Sequence, residues 1–201
     1  GYGYVIGGSY EIPEYAVRLA VTYNSRITHE FKTKETLNGA ALGSSDKTKV
    51  DTPQSVNVDF QTGVAKDTLL FGSARWVEWS EFKIEPELFE NITGTGLVDL
   101  EDTTTWTLGL GRRFTERFAG SLAFQYEGPT DKLVSPLAPV NGFSAVILGA
   151  SYRVDNVELS GGLRYAWLGE ANPETGTPDV ARAEFKNNTA VSVGVKLGYY
   201  F

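Results

Sequence analysis

The sequence predicts an all-β fold, a transmembrane antiparallel up-and-down β-barrel, from three observations. The C-terminal segment alternates apolar residues with small or polar ones as far as a terminal aromatic, Phe201. No stretch is long and apolar enough for a transmembrane helix, so a membrane-spanning form of this chain requires a barrel. The connections between predicted strands alternate between short turns and long polar loops, which is typical of outer-membrane barrels.

The C-terminal segment carries the clearest alternation. Every second position back from Phe201 is apolar, aromatic or Thr, and the positions between are small or polar; the first set is Tyr199, Leu197, Val195, Val193, Val191 and Thr189. A strand with this pattern has one face in lipid. Its terminal aromatic resembles the C-terminal signal that the outer-membrane assembly machinery reads in bacterial β-barrels. The alternative is the last strand of a soluble β-sandwich.

Composition suits a barrel and excludes several kinds of site. The 201 residues include 22 Gly and, as 4 Trp, 10 Tyr and 11 Phe, 25 aromatics, which can form interfacial girdles while Gly lets strands curve. Cysteine is absent, which excludes disulfides and thiolate metal sites. We expect no metal and no cofactor. A net charge of −7 without a Lys/Arg stripe argues against a nucleic-acid partner.

Nine segments are predicted as strands. Their approximate ranges are 2–10, 15–32, 54–64, 68–82, 103–113, 117–127, 143–154, 157–168 and 184–201. Tight turns are predicted at 11–14, 65–67, 114–116 and 155–156, and long loops at 33–53, 83–102, 128–142 and 169–183. In outer-membrane barrels such turns are periplasmic and such loops extracellular.

Polarity assigns the two faces of each strand. The residues predicted to meet lipid include Val17, Leu19, Val21, Tyr23 and Ile27 in the second strand, Phe118, Leu122, Phe124 and Tyr126 in the sixth, and Leu159, Leu163, Tyr165 and Trp167 in the eighth. The intervening residues would face the lumen. A charge on the lipid side near the midplane costs about 2–4 kcal/mol, so the polar residues determine the assignment.

The odd strand count predicts an incomplete barrel. Bacterial single-chain barrels have an even number of strands with both ends in the periplasm, whereas counting back from Phe201 places Gly1 outside. We therefore expect residues 1–201 to be the C-terminal portion of one larger barrel domain. A complementary N-terminal barrel segment would complete it.

Several segments, in order, resemble the C-terminal half of the outer-membrane long-chain fatty acid transporters of the FadL/TodX type. They are the opening GYGYVIGGSYEIPEYAVRLAVTYNSRITHEFK, then PQSVNVDFQTGVAKDTLLFGSARWVEWSEF, TWTLGLGRRFTERFAGSLAFQYEGP, GFSAVILGASYRVDNVELSGGLRYAW and the final GVKLGYYF. The most specific element is W-S-x-F, at Trp79, Ser80 and Phe82. The resemblance implies a fourteen-stranded barrel in the Gram-negative outer membrane, whose hatch and remaining five strands lie outside this chain.

The fourth predicted strand supplies the candidate binding residues. If Arg75 is kept out of lipid, the inward set is Leu69, Phe71, Ser73, Arg75, Val77 and Trp79. An apolar wall holding one cation indicates an apolar ligand with an acidic head group that the guanidinium binds. The alternative is that Arg75 pairs with Asp59 or Glu127 across the lumen.

Arg18 and Arg164 also point inward by parity and are further candidates for contact with substrate. The alternative for them is a charge network with Glu30, Asp59 and Glu158. Apolar loop residues, namely Leu88, Phe89, Ile92, Leu133, Leu137 and Val140, could form a groove that captures ligand.

The function that these observations and the resemblance imply is passive outer-membrane transport of hydrophobic molecules, most of all long-chain fatty acids, through an apolar lumen. The expected contacts are membrane lipids, lipopolysaccharide and a hydrophobic small molecule. We expect no enzymatic activity, because the single His29 has no nucleophile or orienting partner in the sequence pattern. The alternative is a structural or adhesive barrel whose long loops bind a partner without transport.

Overall fold

The computed structural model describes most of the chain. Outside the description are Thr95, Leu97, Asp99, Asp131, Lys132, Leu137, Ala138, 174–179 and Arg182, and the side chains of Leu37, Leu42, 44–46 and Thr93. Leu137, one of the predicted groove residues, therefore lies outside the described residues.

The described residues form eleven strands. They are β1 (Val5–Ile12), β2 (Val17–Asn24), β3 (Ile27–Leu37), β4 (Ala40–Thr52), β5 (Ser55–Ala65), β6 (Thr68–Val77), β7 (Thr103–Arg113), β8 (Phe118–Glu127), β9 (Phe143–Val154), β10 (Val157–Leu168) and β11 (Thr189–Tyr199). Nine of them make one sheet in the order β1-β2-β5-β6-β7-β8-β9-β10-β11, and β3 and β4 make a separate two-stranded sheet. All nine pair antiparallel with their neighbours. This confirms the predicted all-β, antiparallel up-and-down architecture and its nine strands.

The strand register confirms the predicted faces. Residues paired across an antiparallel ladder point to the same side, and the ladder from Leu19 through Phe60, Gly72, Leu108, Phe124 and Val146 to Tyr165 joins the outer-face positions of β2 and β5 to β10. The outer side chains are apolar and exposed; Leu108 and Leu122 keep 54% and 55% of their surface. Ile27 is the exception, because it belongs to β3 and not to β2.

The sheet has two different ends. At the short-turn end, β1–β2, β5–β6, β7–β8 and β9–β10 are joined by brief connections, and Ala16, Asp67 and Asp155 adopt positive φ there. In one of these turns, Arg113 donates hydrogen bonds to the Asp67 carboxylate and lowers the pKa of that group below its ordinary value. The opposite end carries the longer connections and is called the loop end.

The region predicted as a loop over 33–53 is instead an extended hairpin, which corrects the sequence prediction. The predicted second strand, 15–32, ends at Asn24, and β3 and β4 follow as a ribbon beyond the sheet. Two residues of the ribbon that are buried, Glu35 and Thr48, are polar, so alternation of hydrophobic residues could not reveal it. The missed signal is Asn38-Gly39, whose φ values of 50° and 81° are those of a two-residue hairpin turn.

A short helix packs against this ribbon at the loop end. Helix α1 (Glu87–Thr93) begins after Pro86 and ends at Gly94, which has φ 75°. The buried carboxylate of Glu35 on β3 accepts hydrogen bonds from the backbone N–H groups of Phe89, at 2.6 Å, and Leu88, at 3.4 Å. None of the described helices is long and apolar enough to cross a membrane.

The first and last strands are the edges of the nine-stranded sheet. Among the described residues, β1 pairs only with β2 and β11 only with β10. Both strands run from the loop end toward the short-turn end. Their outer edges therefore present unpaired backbone groups of the same strand direction.

Substitutions by Arg test the assignment of faces. We expect Leu122→Arg, Leu163→Arg and Val193→Arg each to reduce the folded, membrane-inserted protein about tenfold or more, because a charge on the lipid side costs about 2–4 kcal/mol. The measurement is the amount of protease-resistant protein in isolated membranes. Ser121→Arg is the matched control, since Ser121 neighbours Leu122 but lines an inner cavity of about 730 Å³. Equal losses on both faces would contradict the assignment.

Candidate functional site

The inner face of β6 distributes the predicted site residues along the whole height of the sheet. Leu69, Phe71, Ser73, Arg75 and Val77 pair on one side with Gly63, Gln61, Asp59, Asn57 and Ser55 of β5. Leu69 and Val77 are eight residues apart, which is about 27 Å along the strand. The row therefore passes several different environments from the short-turn end to the loop end.

At the short-turn end, Leu69 lines a wide cavity and Phe71 packs against a glycine of the neighbouring strand. Leu69 lines the cavity of about 730 Å³, whose other walls are mostly Gly, Ala and Ser of β5 and β7–β10. A Cβ on Gly109 would lie 2.5 Å from Cζ of Phe71. The Phe71 ring thus covers the space above a neighbouring glycine, a packing contact that stabilises the sheet.

The middle of the row is a small polar chamber that contains Arg75. The chamber has a volume of about 280 Å³ and is lined by Asn57, Asp59, Ser73, Ala74, Arg75, Thr105, Thr107, Gln125 and Phe143. Nη1 of Arg75 donates a hydrogen bond of 3.0 Å to Oδ1 of Asn57. No salt bridge joins Arg75 to a carboxylate in the described part of the chain.

The ion pair weighed for Arg75 is therefore wrong for both partners considered. Glu127 instead accepts a hydrogen bond of 2.5 Å from Oγ1 of Thr105, the residue that lies between Glu127 and Arg75 in the ladder. Asp59 lines the same chamber as Arg75, but its ladder partner is Ser73, which lies two residues before Arg75 on β6. The guanidinium is consequently exposed to the chamber.

Arg18 and Arg164 have partners that alternation did not identify. Nε of Arg18 lies 3.2 Å from Oε1 of Glu11 on the neighbouring strand, near the short-turn end. Nε of Arg164 donates a hydrogen bond of 3.0 Å to Oε1 of Gln125, and its guanidinium carbon lies 4.7 Å from the centre of the Phe143 ring. The network predicted with Glu30, Asp59 and Glu158 is wrong for these two residues.

Trp79 does not belong to the row. The predicted fourth strand, 68–82, ends at Val77, and Trp79 begins a 3₁₀ turn (Trp79–Glu81). Val77, the last residue of β6, is buried at the loop end of the sheet, with 6% of its surface exposed. Because the chain leaves the strand before Trp79, the indole joins a separate pocket at the loop end, called the loop pocket.

The loop pocket is the apolar concavity of the site. It has a volume of about 350 Å³ and is lined by Trp79, Leu100, Glu101, Thr103, Glu127, Gly128, Thr130, Leu133, Val134, Ser135, Val140, Asn141, Gly142 and Phe143. Leu133 and Val140 of the predicted groove line it. Leu88 and Phe89 instead bind Glu35 through their backbone, and Ile92 on the same helix is 57% exposed.

Hydrogen bonds hold the walls of the loop pocket. Oδ1 of Asn141 accepts from the backbone N–H of Thr130 at 2.6 Å, and Nδ2 of Asn141 donates to the Thr130 carbonyl at 2.9 Å, which closes the base of the connection between β8 and β9. The backbone N–H of Val134 donates to the Asn172 carbonyl at 3.2 Å, and that of Ser80 donates to Asp102 at 3.1 Å. The pocket is therefore preformed.

A charge cluster fixes the chain where the ribbon leaves the sheet. Arg26 lies within 3.6 Å of Asp51 and 3.0 Å of both Glu78 and Glu81. The hydrogen bond to Glu78 and the neighbouring carboxylates raise the pKa of Arg26 above its ordinary value. Gln54 donates a further hydrogen bond of 2.7 Å to the same Glu78 oxygen. The 3₁₀ turn that carries Trp79 is thus tied to the base of the ribbon.

Solved structures of other proteins share this architecture. No protein-family model matches the sequence, and no curated protein matches it. Among solved structures, a FadL homologue of Pseudomonas aeruginosa matches 97% of this chain and 50% of its own, with a TM-score of 0.68 at 16% identity. The CymD monoaromatic hydrocarbon channel matches 99% of this chain and 51% of its own, with a TM-score of 0.59 at 13% identity. The Pseudomonas putida toluene transporter TodX matches 81% and 43%, with a TM-score of 0.53 at 14% identity.

The chain has the FadL/TodX-type barrel fold. The resemblance to the C-terminal half of that type, predicted from the sequence motifs, is confirmed as a likeness of fold. The chain spans about half the length of these structures.

The inner face of this FadL/TodX-type sheet is less apolar than the row on β6 suggested. Beside the row lie Asn57, Asp59 and Gln61 on β5 and Thr105 and Thr107 on β7, and Gln125 on β8 lies one strand further. The lumen wall around Arg75 is therefore polar. The apolar surface lies instead in the loop pocket. Reading one strand at a time missed this, because alternation does not show which residues stand beside each other across strands.

Most lining residues of the loop pocket were not singled out from the sequence, among them the apolar residues Leu100, Val134 and Phe143. Leu100 lies three residues before the start of β7, and Phe143 is the first residue of β9. Apolar residues next to strand ends of the loop side are the signal that could have found Leu100 and Phe143. The position of Val134 depends on its pairing with Pro173, which no local pattern predicts.

Proposed function

We propose that this chain forms part of an outer-membrane channel through which hydrophobic molecules pass passively. The observation that carries the proposal is the preformed apolar loop pocket, which borders the inner chamber at Phe143. Concave apolar pockets with few polar groups are the usual sites for apolar ligands. The solved structures of the same fold include a monoaromatic hydrocarbon channel and a toluene transporter, and the proposal extends that class of cargo to this chain.

The outer face supports the membrane location. Exposed aromatics stand near the loop end, namely Trp106, Tyr126 and Trp167, and near the short-turn end, namely Phe118, Tyr152 and Tyr199. Phe118 and Tyr126 of β8 are eight residues apart, about 27 Å along a strand. Two aromatic girdles enclosing an aliphatic band fit a bilayer. We propose that the band contacts lipid tails and that the loop end contacts lipopolysaccharide.

We further propose that a complementary barrel segment pairs with β1 and β11. Because these edges run in the same direction, an all-antiparallel closure requires an odd number of additional strands. Intact mass spectrometry of the native protein tests this. We expect a mass about twice the 21.9 kDa of these 201 residues, or a tightly bound second chain. A monodisperse, closed barrel of 21.9 kDa alone would contradict the proposal.

A charge placed in the loop pocket tests the passage. We expect Val140→Arg in the whole protein to lower uptake of a labelled hydrophobic molecule about tenfold or more, because a hydrated guanidinium would cover the apolar surface that the molecule has to contact. Uptake is measured in cells that lack their own channel for the molecule. Ile92→Arg is the matched control, since Ile92 is apolar and exposed at the loop end but does not line the pocket. Unchanged uptake for both variants would exclude the loop pocket from the passage, and absent uptake by the wild-type protein would favour a structural or adhesive barrel.

Within this class of cargo, we propose long-chain fatty acids as substrates. The supporting observation is Arg75, whose guanidinium bonds only to a neutral amide among the described partners and faces a chamber next to the loop pocket. A fatty acid could hold its tail against the apolar walls and its carboxylate against this guanidinium. A specific observation favours a second candidate, an uncharged hydrocarbon: the carboxyl-bearing residues Glu101 and Glu127 line the loop pocket itself and would repel an acid there.

Arg75→Ala separates the two candidates. If fatty acids are the substrates, we expect the variant of the whole protein to bind them more weakly by about 1–3 kcal/mol, as for loss of a charge-assisted hydrogen bond. Binding of an alkane of the same length should hardly change. Both affinities are measured by calorimetry in detergent. No loss for either ligand would favour uncharged hydrocarbons, and equal losses would assign Arg75 to the shape of the cavity.

A further inference from the structure

We propose that Phe143, held in position by Arg164, closes the passage between the loop pocket and the inner chamber. We call this closure the partition. That it controls transport rests on the proposed function, whereas the closure itself does not. Phe143 is the only described residue that lines both the loop pocket and the chamber containing Arg75.

The strand register puts Phe143 at the boundary. Arg75, Thr105, Glu127 and Phe143 follow one another across β6, β7, β8 and β9 in successive ladder pairs. Glu127 lines the loop pocket, Arg75 lines the chamber, and Thr105 lines the chamber while donating to Glu127. This row therefore separates the loop pocket from the chamber, and the aromatic ring in the row is the side chain of Phe143.

Three side chains in series hold the ring. Oγ1 of Thr107 lies 3.4 Å from Nε2 of Gln125, whose Oε1 accepts the 3.0 Å hydrogen bond from Nε of Arg164. The guanidinium of Arg164 then lies 4.7 Å from the centre of the Phe143 ring, within the range of a cation–π contact. The Thr107 hydroxyl and the Gln125 amide fix the cation, and the cation fixes the ring.

The inner surface next to this contact is closed. Ala145 and Ala166 pair with each other on the inner face of β9 and β10 and are both 0% exposed. Methyl groups on the concave side of a sheet are exposed unless larger neighbours cover them. The large inner-face residues two positions away from these alanines are Phe143 and Ile147 on β9 and Arg164 and Leu168 on β10, and Phe143 and Arg164 contact each other. We infer that they cover the pair, which makes the partition a packed element.

A ligand leaving the loop pocket for the chamber must consequently displace the Phe143 ring from Arg164. The same displacement brings the ligand to the guanidinium that the ring has left. Phe143 would therefore govern the rate of passage more than the affinity of the loop pocket, and Arg164 is the positioning residue for it.

Cysteine labelling provides a direct test that needs no hydrophobic ligand, because these 201 residues contain no cysteine of their own and the whole protein without the introduced cysteine serves as the blank. Ser73→Cys places a thiol in the chamber and Val140→Cys places one in the loop pocket. Intact cells carrying the whole protein are treated from outside with a membrane-impermeant methanethiosulfonate. We expect the thiol at 73 to react about tenfold more slowly than the thiol at 140, and Phe143→Ala to accelerate the reaction at 73 about tenfold without changing that at 140.

The controls distinguish a positioned ring from general loosening. Phe124→Ala removes the same side chain from the outer face of the adjacent strand and should leave both rates unchanged. Phe143→Leu serves if the alanine variant fails to assemble, and should give a smaller acceleration at 73. Arg164→Gln should accelerate the reaction at 73 about threefold or more, and Arg164→Lys, which keeps a cation, should restore most of the protection.

The partition is overturned if neither Phe143 variant changes the rate at 73, or if Phe124→Ala accelerates it as much. Uptake of a labelled hydrophobic molecule is then measured separately for the same variants. Faster labelling together with absent uptake in the wild-type protein would retain the partition and refute the proposed function. Uptake by the wild-type protein with unchanged labelling in the Phe143 variants would do the reverse.

Discussion

The backbone ladder of the nine-stranded sheet is the constraint on which the rest of the structure depends. Each strand must pair its N–H and C=O groups with its neighbours, because a bilayer offers them no other partner. Once the register is fixed, every side chain is assigned to one face, and a shift of one residue would exchange the faces. One register between β8 and β9 thus pairs Leu122 with Leu148 on the outer face and Ser121 with Gly149 on the inner face.

Glycines and aromatics use that register on both faces. A Cβ on Gly72 would lie 2.5 Å from Cε1 of Phe60 on the outer face, and one on Gly109 would lie 2.5 Å from Phe71 on the inner face. In each case a ring crosses to the neighbouring strand and covers a residue without a side chain. The rings thereby restore packing that glycine loses, while glycine permits the close contact. Small residues without such a ring leave the wide cavity near the short-turn end.

The sheet could be predicted from sequence because its cause is local. Apolar alternation in β8 and β10 is set by lipid on one side and polar surroundings on the other, and both strands match their predicted ranges closely. The ribbon of β3 and β4 escaped prediction because its buried residues, Glu35 and Thr48, are polar and leave no hydrophobic period. Its Asn38-Gly39 turn could have been recognised from the sequence. The partners of Arg75, Arg18 and Arg164 also escaped, because they depend on the pairing of strands and not on position along one strand. Asn57 and Glu11 stand directly opposite Arg75 and Arg18, and Gln125 lies two strands away from Arg164.

The candidate site shows the same division between local and non-local causes. Trp79 was recognised as a residue of interest from its motif, but its position depends on where β6 ends, and the Arg26 cluster with Glu78 and Glu81 holds the turn that moves it out of the row. The consequence is an ordered series of environments along the inner side: apolar at the loop end, aromatic at Phe143, polar and cationic around Arg75, and lined by small residues below. Such a series presents an apolar surface at the loop end and a cation deeper along the inner face, with the Phe143 ring between them. Because the ring contacts Arg164 and not a residue of its own strand, this order depends on the pairing of strands and could not be predicted from any one of them.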